Sequence, residues 1–236
     1  MLERIDNKYV VGSAVLRQAV GELSRHFDVL EIGDKRVFVY ETCYFDDAQL
    51  HSYFDHHRGR RKRVKVRARK YLDAGLCFLE VKLKDKRGRT VKKRLLYDAD
   101  KFGTLDESAL AYIQDTYRSF YQEEFQRTLS RVLDMRYVRV TLVAREGSER
   151  MTIDSGLQFL SGNTTVPVDD DLFIVEAKSL NGNGIADRIL RRLHQHPTKH
   201  CSKYCLGTVL MDSGTKHNNF RPVLGKLGFL AARDRA

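Results

Sequence analysis

The residues with the most evident chemical capacity lie between Arg63 and Leu95, in the tract RVKVRARKYLDAGLCFLEVKLKDKRGRTVKKRL. Arg63, Lys65, Arg67 and Arg69 occupy every second position, and so do Glu80, Lys82 and Lys84, so each set shares one face of an extended strand. Guanidinium and ammonium groups gathered in this way bind phosphate, Arg through bidentate forks and Lys as a point charge. Two carboxylates on the same kind of face, Glu80 and Glu176, are poor phosphate neighbours unless a divalent cation bridges them. The set as a whole implies metal-assisted phosphate chemistry.

The elements that must position these groups repeat one pattern. Val64, Val66 and Ala68 oppose Lys65, Arg67 and Arg69, and Leu79, Val81 and Leu83 oppose Glu80, Lys82 and Lys84. Further on, Val138, Val140, Leu142 and Ala144 oppose Tyr137, Arg139 and Thr141. Met151 and Ile153 oppose Arg150, Thr152 and Asp154, while Phe173, Val175 and Ala177 oppose Glu176 and Lys178. Near the start, Arg4, Asp6 and Lys8 share a face. An open antiparallel sheet with its charged side in water would account for any one hairpin. Across every strand it is less satisfactory, because like charges side by side cost stability. Curling the sheet so that the charged faces look inward gives a barrel with an ionic lumen, the inverse of the usual apolar small-barrel core.

Helical periods supply the outer cover. Leu16, Val20, Leu23 and Phe27 predict a helix from an N-cap at Ser13 to about residue 28. From Asp106, the series Leu110, Ile113, Tyr117, Tyr121, Phe125, Leu129 and Val132 predicts helix, in one or two pieces, and 184–195 predicts another. Residues 37–47 read as a strand followed by a short helix or turn, which Asp46 and Asp47 cap. Asp154 reads as a turn cap at a strand end, and Tyr71 and Tyr204 as packing residues. The expected organisation is α+β: one domain over residues 1–220 and an aperiodic tail over 221–236.

With 236 residues the chain can bury a sizeable core, and its 42 Lys and Arg against 31 Asp and Glu leave a formal charge of +11 that calls for an anionic partner. The first residues lack the order of a secretory signal and no apolar run reaches about 18 residues, which points to the cytoplasm. Four irregularly spaced cysteines read as reduced thiols. The cluster HQHPTKHCSKYC gathers His194, His196, His200, Cys201 and Cys205, but Pro197 interrupts it and the spacing fits no zinc pattern. Nucleic acid is not the expected partner, because the cations alternate with apolar residues instead of forming an exposed run, and Glu80 and Glu176 would repel a backbone.

RIDNKY at 4–9, YFDDAQLHSY at 44–53, KVRARKY at 65–71, LEVKLK at 79–84, TVKKR at 90–94, YVRV at 137–140, ERMTID at 149–154, VEAKS at 175–179 and SKY at 202–204 together resemble the VTC domain. This is the polyphosphate polymerase domain of the vacuolar transporter chaperone complex, within the triphosphate tunnel metalloenzymes. The resemblance implies an eight-stranded antiparallel β-barrel tunnel with a charged lumen, covered by α-helices. It implies transfer of the ATP γ-phosphate to a growing inorganic polyphosphate chain, with Mn²⁺ or Mg²⁺ as cofactor. Carried over by position, Lys8, Arg67, Arg69, Lys82, Arg139, Arg150, Lys178 and Lys203 resemble phosphate ligands, Ser202 and Tyr137 hydrogen-bond donors, and Glu176 a metal ligand.

Lys92 matches a basic lumen position, Lys84 and Arg58 match more loosely, and Glu80 stands either beside the metal or as a brace for its basic neighbours. Arg67, Arg69, Lys82, Arg139 and Glu176 are the residues expected to carry the reaction. The family pattern Arg-x-Glu-x-Lys is here Arg4, Asp6 and Lys8, one methylene shorter in the middle. Without the phosphate-sensing SPX domain or membrane helices of the eukaryotic complex, the chain reads as a stand-alone, bacterial-type version, with a membrane-protein partner for export a further expectation. A triphosphate or tripolyphosphate hydrolase on the same fold, and a binding module without turnover, are the alternatives.

Overall fold

The computed structural model describes residues 5–85 and 90–230. Arg4, residues 86–89 of the DKRGR turn between the second and third basic strands, and residues 231–236 of the expected tail therefore lie outside the described residues. In chain order the elements are β1 (Ile5–Gly12), α1 (Ser13–His26), β2 (Phe27–Val29), β3 (Val37–Asp46), α2 (His51–His57), β4 (Arg63–Tyr71), β5 (Leu76–Lys84) and β6 (Thr90–Leu96). Then follow α3 (Glu107–Tyr121), β7 (Ser130–Ala144), β8 (Arg150–Ser161), β9 (Thr164–Pro167), β10 (Leu172–Ser179), α4 (Ile185–Arg192), α5 (Lys203–Met211) and α6 (Arg221–Lys226).

Eight strands make one antiparallel path, β1-β10-β8-β7-β3-β4-β5-β6, with β2 added on β7 and β9 on β8. Alternation sorts each strand's residues between two faces, and the apolar outer face is covered by helices. Ala109, Ile113 and Tyr117 of α3 pack on Val64, Val66, Ala68, Leu79, Val81 and Leu83. Helices α1 and α4 pack on Tyr9, Val11, Leu142, Met151, Val175 and Ala177. Burying a Leu or Val side chain contributes roughly 1.5–3 kcal/mol, so these two layers hold the wall.

The inner face is curled, and one helix start shows it. Lys8 of β1 donates to the Cys201 carbonyl (3.1 Å), Lys65 of β4 to Ser202 (2.8 Å), and Lys203 itself to Asp154 of β8 (2.5 Å). Strands far apart in the sheet order thus meet at the N-terminus of α5. Behind that point α5, α2 and α6 fill one end of the barrel as an apolar plug with Leu133, Met135, Leu157 and Phe159. The helix sits so close that a Cβ on Gly207 would lie 2.4 Å from Leu133 and 2.6 Å from Phe159. The tunnel is therefore charged over one part of its length and apolar over the other.

Several boundaries differ from the sequence expectation. Gly12 and not Ser13 is the N-cap of α1, and Val20 is 58% exposed on its outer side. The helix predicted from Asp106 stops at Tyr121, where Gln122 adopts a left-handed conformation (φ 58°). Phe125 and Leu129 still reach the core beyond it, and Val132 belongs to β7. Helix α5 was not anticipated, because six of its nine residues are buried and a helix apolar all round shows no period. Residues 221–230 are not a loose tail: Val223, Leu224 and Leu227 are buried in the plug.

That last difference is testable. Leu224→Ala should lower unfolding free energy in urea by about 2–5 kcal/mol, the range for truncating a buried Leu, whereas a residue in a detached tail would leave the midpoint unchanged.

Candidate active site in the tunnel

The strand registers place the charged residues in neighbouring rows on the inner wall. Lys8 faces Glu176 across β1 and β10, Glu176 faces Thr152, and Thr152 faces Thr141. Asp6 faces Lys178, and Lys178 faces Arg150. On the other side Thr42 faces Arg69, Tyr44 faces Arg67, Arg67 faces Glu80, and Lys65 faces Lys82, which faces Lys92.

Carboxylates compensate some of these cations and leave others bare. Glu80, 1% exposed, accepts from Arg67 on one oxygen (2.5 and 2.7 Å) and from Lys92 on the other (2.9 Å). Burial alone would raise its pKa, but Arg67, then Arg69 and Lys92, hold it well below the usual carboxylate range. Asp154, also 1% exposed, takes two hydrogen bonds from Arg139 (2.6 and 2.8 Å) and one from Lys203 (2.5 Å). Again burial opposes ionisation, and the Lys203 and Arg139 charges overcome it, lowering the pKa. Lys178 bridges Glu176 (2.6 Å) and Asp6 (3.0 Å).

Among the described residues, Lys8, Lys65, Arg69 and Lys82 make no carboxylate ion pair within 4 Å. Burial pulls the Lys8 ammonium down, but Glu176 and the other acids nearby outweigh it and its pKa ends raised. Lys82 is crowded by the wall but still open to water in the lumen; burial first, and then Lys8, push its pKa down to about 7, and that open water screens the effect. Lys65 is also pushed down, chiefly by burial.

Aromatic rings frame the cations. Tyr40 and Tyr137 stack at 5.2 Å, and the guanidinium groups of Arg69 and Arg139 each lie 5.3–5.7 Å from both rings. The Lys203 ammonium stands 5.3 Å from the Tyr137 ring. Such contacts hold a cation in place without neutralising it. Three buried side-chain polar atoms among the described residues lack a partner, and two of them, Tyr137 Oη and Thr152 Oγ1, belong to residues of the inner wall.

The structure thus brings Lys8, Arg67, Arg69, Lys82, Lys92, Tyr137, Arg139, Arg150, Lys178, Glu80 and Glu176 to the inner face of the strands and sets Ser202 and Lys203 beside them at the start of α5. Lys84 lies at the end of β5, and the Arg58 guanidinium lies 5.3 Å from the Phe54 ring at the end of α2, apart from that group. Sequence reasoning missed the role of Asp154, taken for a turn cap, although its place beside Arg150 and Thr152 on one face was a usable signal. It also passed over Lys65 and His56, because their proximity is made by the fold. Tyr204 packs as expected, its hydroxyl donating to Asp46 (2.5 Å), which also accepts from the Ser52 and Tyr53 amides at the start of α2. Among the described residues no group of three or more His, Cys, Asp or Glu is arranged to hold a metal, and the His194–Cys205 cluster is no exception. Glu176 and Asp6, converging on Lys178, suit a hard divalent cation that keeps waters and takes its remaining ligands from phosphate, as Mg²⁺ commonly does.

An antiparallel sheet curled around a cationic lumen and plugged by a helix defines a triphosphate tunnel fold. A protein provisionally called an adenylate cyclase, from Bacillus halodurans, superposes with a TM-score of 0.52 at 13% identity over 85% of this chain and 95% of its own. An adenylyl cyclase candidate from Hippeastrum, for which a dominant triphosphatase activity is described, gives 0.52 at 15% identity, over 88% and 95%. The PH1819 protein from Pyrococcus horikoshii gives 0.50 at 14%, over 90% and 99%. At these identities the likeness establishes the fold alone. The chain belongs to the VTC domain family, whose profile matches residues 3–212. No curated protein matches it.

Asp154 supplies a pH test. Its folded pKa lies below the unfolded value near 3.9, so the stability it contributes is present above about pH 4 and is lost as pH falls through the folded pKa. Asp154→Asn should therefore lower stability at pH 7 and flatten the fall below about pH 4, measured by urea unfolding at each pH.

Proposed function

We propose that this chain is a metal-dependent polyphosphate polymerase that transfers the ATP γ-phosphate to a growing inorganic polyphosphate chain inside the tunnel. The observation that carries the reading is the division of lumen cations into braced and bare. Glu80 and Asp154 fix Arg67, Lys92, Arg139 and Lys203 in place, while Lys8, Arg69 and Lys82 stand without carboxylate partners where a phosphate chain would lie. Membership of the VTC domain family supports the choice of polyphosphate as acceptor.

Phosphoryl transfer asks little covalent work of a protein, and fixed charge that holds donor and acceptor in line supplies most of the rate. Arg67, Arg69 and Arg139 would spread their donors over the transferring group, with Lys8, Lys82, Lys178, Arg150 and Lys203 holding the flanking phosphates. Tyr137 would give its unpaired hydroxyl to a phosphate oxygen, as would Ser202 at the start of α5. The acceptor is a terminal phosphate, already anionic, so no general base is required. Glu176, with Asp6, would hold Mn²⁺ or Mg²⁺, which when bound neutralises charge on the phosphate oxygens. Glu80, with both oxygens engaged, serves as a brace.

A triphosphatase is the second reading, favoured by the activity described for the Hippeastrum protein of like fold, since water could replace the chain end in the same lumen. No helix among the described residues is long and apolar enough to cross a membrane. A membrane-protein partner that receives the product remains part of this reading.

Purified protein given ATP with Mn²⁺ or Mg²⁺ should form long polyphosphate, resolved on a urea gel; release of orthophosphate alone would select the triphosphatase. Arg69→Ala and Glu176→Ala should each reduce product formation by about 10²-fold or more, in line with the loss of a charge-stabilising group. Unchanged rates in both variants would overturn the assignment. Tripolyphosphate should also bind far more tightly than duplex DNA at matched salt, which separates a phosphate-chain site from a nucleic-acid surface.

A further inference from the structure

Lys65 stands apart from the other lumen cations. Its ammonium donates to the Ser202 hydroxyl (2.8 Å) and to Nδ1 of His56 (2.9 Å), with Cys205 Sγ at 3.6 Å, and the Tyr204 ring centroid lies 5.6 Å away. An ammonium has three protons and no acceptor capacity, so these three contacts leave none for a ligand. His56 must accept and is therefore neutral; burial, and then the Lys65 charge, hold its pKa far below the ordinary value. A neutral acceptor orients Lys65 without cancelling its charge, unlike the carboxylates that brace Arg67 and Arg139.

Ser202 receives from two sides. Its hydroxyl oxygen accepts from Lys65 and from the Cys205 amide (3.4 Å), where it caps α5. Both lone pairs are thus engaged, and the hydroxyl proton has no acceptor among the described residues. The Lys8 ammonium, on the Cys201 carbonyl, and the Lys203 ammonium, on Asp154, meet at the same helix start, and neither ammonium can accept. A hydroxyl with its acceptor capacity filled and its proton free is a fixed donor.

We propose that Lys65 is a positioning residue for the bound phosphate chain: braced by His56, it locks the Ser202 hydroxyl so that its proton is presented to a phosphate oxygen at the plugged end of the lumen. The inference rests on the reading of the lumen as a phosphate-chain site. It adds a residue that acts through another and makes no direct phosphate contact.

Calorimetric titration of the full chain with tripolyphosphate, without metal, tests it. Lys65→Met and Ser202→Ala should each weaken binding by about tenfold or more, the factor expected for one hydrogen bond to a charged group. The loss caused by Lys65→Met should shrink in the Ser202→Ala background, and His56→Leu should weaken binding only when Ser202 is present. The melting temperature of Lys65→Met should not fall, since the group removed is a crowded charge with no carboxylate partner. Additive losses, or an unchanged affinity in Lys65→Met, would overturn the positioning role while leaving the lumen assignment standing. A wild-type protein that does not bind tripolyphosphate would instead remove the lumen assignment itself.

Discussion

Enclosing many like charges inside a curled sheet is the constraint on which this structure depends, and Glu80 and Asp154 are how it is met. Each is buried, each reaches two cations, and each joins different parts of the wall: Glu80 ties β4 to β6, and Asp154 ties β7 to the start of α5. A buried carboxylate is costly unless paired and hydrogen-bonded. Here each also lowers the repulsion that would otherwise open the sheet. The charge left over is concentrated at Lys8, Lys65, Arg69 and Lys82, so the residual instability is localised where an anion would relieve it.

The plug turns this wall into a site with an end. Helix α5 is apolar on every side because it is surrounded by β7, β8 and the helices α2 and α6, and Gly207 allows the close approach that seals it. Asp46 connects the parts, accepting from the amides at the start of α2 and from the Tyr204 hydroxyl. The same packing that fills the barrel therefore aims the first turn of α5, with Ser202 and Lys203, at the charged lumen.

Much of this was legible in the sequence. Two-residue alternation identified the inner and outer faces of the long strands, because a sheet with one apolar and one ionic face leaves a period that nothing else imitates. What could not be read is what the curling of the sheet and the docking of the helices create. Asp154 shares a face with Arg150 in the sequence, but its partners Arg139 and Lys203 come from another strand and a helix. Lys65 meets His56 and Ser202 only once β4, α2 and α5 are assembled. Short strands such as β2 and β9, and the largely buried α5, carry too little periodicity to announce themselves. The departure at Phe125 and Leu129 has the opposite cause: apolar residues at helical steps reached the core from a chain that had already left the helix at Gln122.

Strands β1 and β6 stand at the two ends of the eight-strand path, each hydrogen-bonded on one side among the described strands. Unpaired strand edges invite a second chain to add to the sheet, and charged side chains, Lys above all, are a common protection. Along β6, Lys92, Lys93 and Arg94 are consecutive and exposed, and β1 carries Asp6 and Lys8. A second copy approaching edge to edge at β6 would bring these cations against their own kind. The basic character of the molecule thus guards a strand edge as well as lining the lumen, and exchanging Lys92 and its neighbours for neutral residues would expose the protein to self-association as well as emptying part of the lumen of charge.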